Sequence, residues 1–142
     1  MRYILDTDHM SLLERKTSHE AQRLYFRLSA LSDTDFGTTI ISFEEQMRGW
    51  LALLANARTF EKQIVFYGQL KNALQRYNKI QLFDFDPRAV AILSDLQKQR
   101  IRIGTMDLKI AAIAIANDVT LLSRNLKDFG KVPRLKVEDW AA

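Results

Sequence analysis

Short apolar runs alternate along this chain with longer segments of helical periodicity, and that alternation limits the folds open to it. Tyr3-Ile4-Leu5 stops at Asp6, and short apolar runs that end in a polar turn read as buried parallel strands. A helix is expected next, with Thr7 or Asp8 as cap and Met10, Leu12 and Leu13 turned inward; a second runs from about 18 to 30, carrying Ala21, Leu24, Tyr25 and Leu28, until the polar cluster Ser32 to Asp35 breaks it. Phe36 to Ile41 reads as a β-branched strand. Ser42 then opens a helix on which Phe43, Met47, Trp50, Leu51 and Leu54 form an apolar stripe. Further helices are predicted over about 59–77, after Pro87 (with Val90, Ile92, Leu93 and Leu96), and over 106–116, the last apolar on nearly all sides. Strands are predicted at 80–85, at 119–122 and, as an edge, at 135–137, with a loop over 124–134. This order predicts an α/β fold, a three-layer α/β/α sandwich with a mainly parallel central sheet, over a single domain 1–142.

Composition removes several classes of chemistry. There is no cysteine, and only His9 and His19 offer imidazole, so any metal would be a hard, oxygen-liking ion such as Mg²⁺ or Mn²⁺. No stretch approaches the ~18–20 apolar residues of a membrane span, and the start lacks a signal-peptide pattern, so a cytoplasmic location is expected. The net charge of +4 suits a polyanionic partner without specifying one.

In open parallel sheets ligands collect beyond the carboxyl ends of the strands. Asp6 ends the first strand, Glu45 follows the second, Asp107 opens the apolar helix, and Asn125 and Asp128 follow the strand at 119–122. Carboxylates gathered in one pocket raise one another's pKa, and a divalent cation relieves the repulsion while offering a water and a site for phosphate. Each acid also has a plainer reading: Asp6 as a helix cap, Glu45 as the end of a Ser42-x-x-Glu45 capping box, Asp107 as a favourable charge at a helix N-terminus. Periodicity leaves the choice between Glu44 and Glu45 open.

Four segments carry a resemblance. ILDTDHMS is similar to the hydrophobic-Asp-Thr opening of the PIN-domain ribonucleases, and of the VapC toxins in particular. ISFEEQMRG resembles their Ser-x-x-Glu-x-x-x-Gly helix, which selects Glu45 and Gly49; IGTMDLKIAAIAIA resembles the third-acid segment and selects Asp107. LLSRNLKDFGKVPRLKVEDW resembles the C-terminal segment through Asn125, Asp128, Phe129 and Glu138-Asp139-Trp140. Gln46 departs from the leucine common there, and Asn125 stands where many relatives carry a fourth acid.

The resemblance implies a PIN-like fold and a metal-dependent endoribonuclease, the toxin of a toxin–antitoxin pair, cleaving structured RNA such as tRNA. It implies catalytic Asp6, Glu45, Asp107 and Asn125, with Mg²⁺ or Mn²⁺ on Asp6, Glu45, Asp107 and Asp128. A cognate antitoxin and a homodimer are implied as partners. Arg124, Lys127, Lys109 and Arg48 are candidate RNA contacts around the acids. Tyr25, Phe26, Phe60, Phe66, Tyr67 and Tyr77 read as core or dimer contacts. Two other readings compete: a non-catalytic PIN module that binds RNA or protein, and a receiver-like signalling domain using Asp6 and Asp8 or Asp84 and Asp86.

Overall fold

The computed structural model describes residues 2–15 and 17–142. Five strands form one all-parallel sheet: β1 (Tyr3–Leu5), β2 (Phe36–Thr39), β3 (Gln81–Phe83), β4 (Thr120–Leu122) and β5 (Val137–Glu138), in the order β3-β2-β1-β4-β5. The helices are α1 (Thr7–Leu12), α2 (His19–Ser29), α3 (Ile40–Ala55), α4 (Phe60–Lys79), α5 (Pro87–Lys98), α6 (Thr105–Ala116) and α7 (Leu126–Phe129). The predicted three-layer sandwich is what forms.

Side-chain alternation along the strands decides which helices lie on which face. Ile4 and Leu121 point into one core, with Phe83, Leu96, Phe129 and the α6 residues Ile110 to Ala114. Leu5 and Leu122 point into the other, with Met10, Leu12, Leu24, Tyr77 and Trp140. The centre of the sheet is thus apolar on both sides, as parallel sheets require. α6 is enclosed because Leu108 and the whole run 110–114 are buried.

Three local expectations are corrected. The β-branched run stops as a strand at Thr39, whose extended backbone and Oγ1, accepting from the Ser42 amide at 3.1 Å, make it the cap of α3. Ile40 and Ile41 therefore belong to the helix, and Ser42 opens nothing: the capping-box reading of Glu45 falls. The loop 124–134 contains α7, capped by Asn125 and anchored by buried Phe129. Of the apolar positions expected inside, Tyr25, Leu51 and Val90 are exposed, as are Phe26, Phe60 and Tyr67 among the aromatics, whereas Tyr77 is buried edge-on to Phe43. Pro87 does open α5, at its first turn behind the Asp86 cap. No helix among the described residues is long and apolar enough to cross a membrane.

β2 and β3 approach so closely at Gly37 that a Cβ there would lie 2.5 Å from the Gln81 carbonyl oxygen. Gly37→Ala is expected to cost about 1–3 kcal/mol of stability in denaturant unfolding, because a backbone carbonyl in a ladder cannot step aside.

Candidate acidic site at the carboxyl rim of the sheet

The strand order reverses direction at β1: the chain proceeds outward through β2 and β3 on one side and through β4 and β5 on the other. Loops part at such a switch point and leave a crevice beyond the strand ends. Asp6 stands there. Its amide extends the ladder to Leu122 O at 3.0 Å, and its Oδ1 accepts from the His9 amide at 2.8 Å, so this buried carboxylate caps α1. The cap expected at Thr7 or Asp8 is Asp6 itself. Capping and site membership prove compatible, since the cap occupies Oδ1.

α3 leaves β2 at the same rim, and Glu45 lies in its second turn. Glu45 Oε1 accepts from Thr7 Oγ1 at 2.6 Å, and Thr7 Oγ1 lies 3.0 Å from the buried Ser42 Oγ. Glu44 instead turns outward and pairs with Arg48. Glu45, not Glu44, is thus tied to α1 through Thr7. Thr7 and Ser42, expected as caps, instead support Glu45: the Thr7 hydroxyl bonds it and lies against the Ser42 hydroxyl.

A helix that feeds a parallel strand runs antiparallel to it, so α6 begins at the carboxyl rim, and Asp107 lies in its first turn. Burial pushes the Asp107 carboxyl up from its ordinary 3.8 to about 6, and the charges of Glu45, Asp6 and Asp128 push it in the same direction. Three acids remote from it in sequence therefore act on Asp107. Asn125 receives the Asp128 amide on Oδ1 at 3.3 Å and donates from Nδ2 to Asp128 Oδ2 at 3.1 Å. That bond, with Lys131 nearby, holds the Asp128 carboxyl below its usual range, so it carries charge. Asn125 thus holds Asp128 at both its amide and its carboxylate.

The basic residues are differently employed. Arg124 donates to both oxygens of Asp8 at 2.6 Å and to Glu20 at 3.0 Å, tying the end of β4 to α1 and α2. Lys109 lies over the Phe85 ring at 5.7 Å, Arg48 is paired to Glu44, and Lys127 is exposed. Asp86, an acid of the signalling alternative, is the α5 cap and is bound to Arg88.

An all-carboxylate set of this kind fits a hard divalent cation. Asp6, Asp8 and His9 also bring possible ligand atoms within 4.8 Å of one another, but both Asp8 oxygens are already bonded to Arg124. Beside the acids, Thr7, Ser11, Glu45, Gln46, Trp50 and Leu53 line a groove of about 430 Å³, and Gly49 leaves open space above α3 there.

The all-parallel sheet between helices is a PIN-like three-layer α/β/α fold. It superposes along its whole length on a chain of the VapBC-1 structure from nontypeable Haemophilus influenzae, with a TM-score of 0.76, 21% identity and 100% of each chain covered. No family model matches. In sequence it is similar to Ribonuclease VapC1 of Rickettsia felis, 52% identical over 46 residues, which is 32% of this chain and 34% of that protein. Ribonuclease VapC2 of the same organism is 31% identical over 67 residues, 44% of this chain and 50% of that one. The matched segments thus span between a third and a half of these relatives, and the chain is VapC-like in them.

The Asp107 shift has a measurable consequence. Its folded value exceeds its unfolded one, so its contribution to stability is complete below pH 3.8 and is lost as pH rises through about 6. Without divalent cation, Tm is expected to fall from about pH 5 to about pH 7 through this group. Asp107→Asn should remove that part of the slope and raise stability at neutral pH by about 1 kcal/mol, a figure reduced for solvent screening; differential scanning fluorimetry across pH reads both.

Proposed function

We propose that this chain is a metal-dependent endoribonuclease, the toxin of a toxin–antitoxin pair, and that it hydrolyses phosphodiester bonds in structured RNA such as tRNA. The observation that supports the reading is that Asp6, Glu45 and Asp107 stand on three elements that meet at the carboxyl rim of the sheet, where burial and, after it, the charges of Glu45 and Asp6 raise the Asp107 carboxyl. The likeness to VapC ribonucleases supports it.

In this reading Asp6, Glu45 and Asp107 hold Mg²⁺ or Mn²⁺, with Asp128 oriented by Asn125 as a fourth, outer carboxylate. A cation bound there supplies a water of lowered pKa and a positive charge for a phosphate oxygen. The chain's own residues do the positioning. Thr7 holds Glu45 by its hydroxyl, the α1 amide of His9 fixes Asp6, and Asn125 fixes Asp128. Water oxygen adds to phosphorus and one P–O ester bond breaks, giving a phosphate monoester and a hydroxyl that takes up a proton. Lys127, with Lys109 and Arg48, forms the basic rim that offsets the repulsion between acids and RNA. Arg124 joins it only by exchanging Asp8 or Glu20 for phosphate.

The partners proposed are an antitoxin protein and a second copy of the chain, over the single domain 1–142. The full-length likeness to a chain of a VapBC structure supports the first. Exposed Leu51, Phe60, Ile64, Val65 and Tyr67 on α3 and α4 support an interface of some kind.

Purified chain incubated with tRNA is expected to cleave it with Mg²⁺ or Mn²⁺ and not with EDTA. Asp6→Asn keeps a capping side chain and Glu45→Gln keeps an acceptor for Thr7, so both should stay folded while losing about a hundredfold or more in rate. Cleavage that survives EDTA and both substitutions contradicts the metal reading; RNA bound but never cut favours the non-catalytic module.

A further inference from the structure

His9 is fully enclosed, yet neither of its ring nitrogens has a hydrogen-bond partner. Buried polar groups are nearly always partnered, and one that is not lowers stability. Its neighbours Met10 and Leu12 are as deeply buried, so an apolar side chain would suit this interior better. A histidine kept here at that cost has some other use.

Its surroundings indicate which. Nδ1 lies 3.5 Å from Asp6 Oδ1, and Nε2 lies 3.9 Å from Asp139 Oδ1. These separations exceed hydrogen bonds, but the ring stands in line between two carboxylates. Asp139 is itself fixed, since its Oδ1 accepts from the Ala141 amide at 2.8 Å. The neighbouring Trp140 packs against Tyr3 of β1 with ring centroids 4.5 Å apart. A continuous path therefore runs from the C-terminal segment through Asp139 and His9 to Asp6. The His9 amide donates to Asp6 Oδ1 at 2.8 Å, and the ring Nδ1 stands 3.5 Å from the same oxygen. The oxygen so anchored sets the direction of the other.

We infer that His9 is a positioning residue that braces Asp6 against Asp139, and that this brace sets the affinity of the acidic rim for a divalent cation. The inference rests on the metal reading above. Side chains that orient metal-ligating groups from behind change metal affinity by about 10–100-fold when removed.

The test is the affinity of the full chain for Mn²⁺ by titration calorimetry without RNA. His9→Leu is expected to weaken binding about tenfold or more, and His9→Asn, whose amide reaches toward Asp6, to recover most of it. Asp139→Asn should weaken binding by a smaller factor, and the His9→Leu/Asp139→Asn double variant should be no weaker than His9→Leu alone. A histidine that merely filled the core would shift Tm and leave Mn²⁺ affinity unchanged, and that result overturns the inference. If His9→Leu does not fold, the partly exposed Asp139 decides: unchanged affinity in Asp139→Asn overturns the brace. Wild-type chain that binds no Mn²⁺ overturns the metal reading as well, which separates the two failures.

Discussion

One strand end governs the rest of this molecule. β1 lies at the centre of the sheet with β2 and β4 on either side, and its last residue is succeeded at once by a buried carboxylate, Asp6. Burying that charge is tolerable only because α1 begins there and donates an amide to it. The same geometry brings α3 and the start of α6 to the rim, and with them Glu45 and Asp107. Burial there, and after it the charges of Glu45, Asp6 and Asp128, raise the Asp107 carboxyl. The fold thus concentrates negative charge where a cation would relieve it, and stability is given up locally for that arrangement.

Neutral side chains and backbone do the orienting around the acids. Thr7 and Ser42 steer Glu45, Asn125 steers Asp128, and the His9 amide steers Asp6. Arg124 closes α1 and α2 against the end of β4 through Asp8 and Glu20. A guanidinium next to the site in sequence is thereby employed mainly in holding the wall of the site together.

Much of this was legible in the residues. Tyr3-Ile4-Leu5, ending at an acid, reads as a buried strand and the apolar run of α6 as an enclosed helix. Each places an acid at the rim, Asp6 just after the strand and Asp107 in the first turn of the helix. The boundary at Thr39 was not legible, because β-branched Ile40 and Ile41 suit a strand and nothing local reveals that the threonine before them caps a helix. α7 escaped notice because four residues give no periodicity, and only the Asn125 cap marks its start. Glu44 and Glu45 were inseparable by spacing; the Thr7 hydroxyl, 38 positions away in the chain, distinguishes them. Pairings such as Arg124 with Asp8 and His9 with Asp139 are long-range consequences of the fold and leave no local trace.

The account stands on Asp6, Glu45 and Asp107 acting as one cation site. An anomalous difference map from crystals soaked in Mn²⁺ locates the ion directly. A peak bounded by those three carboxylates, with Asp8 still bonded to Arg124, is the predicted result. A peak at Asp8 and His9, or no peak at the rim while Mn²⁺ is bound elsewhere, would contradict it.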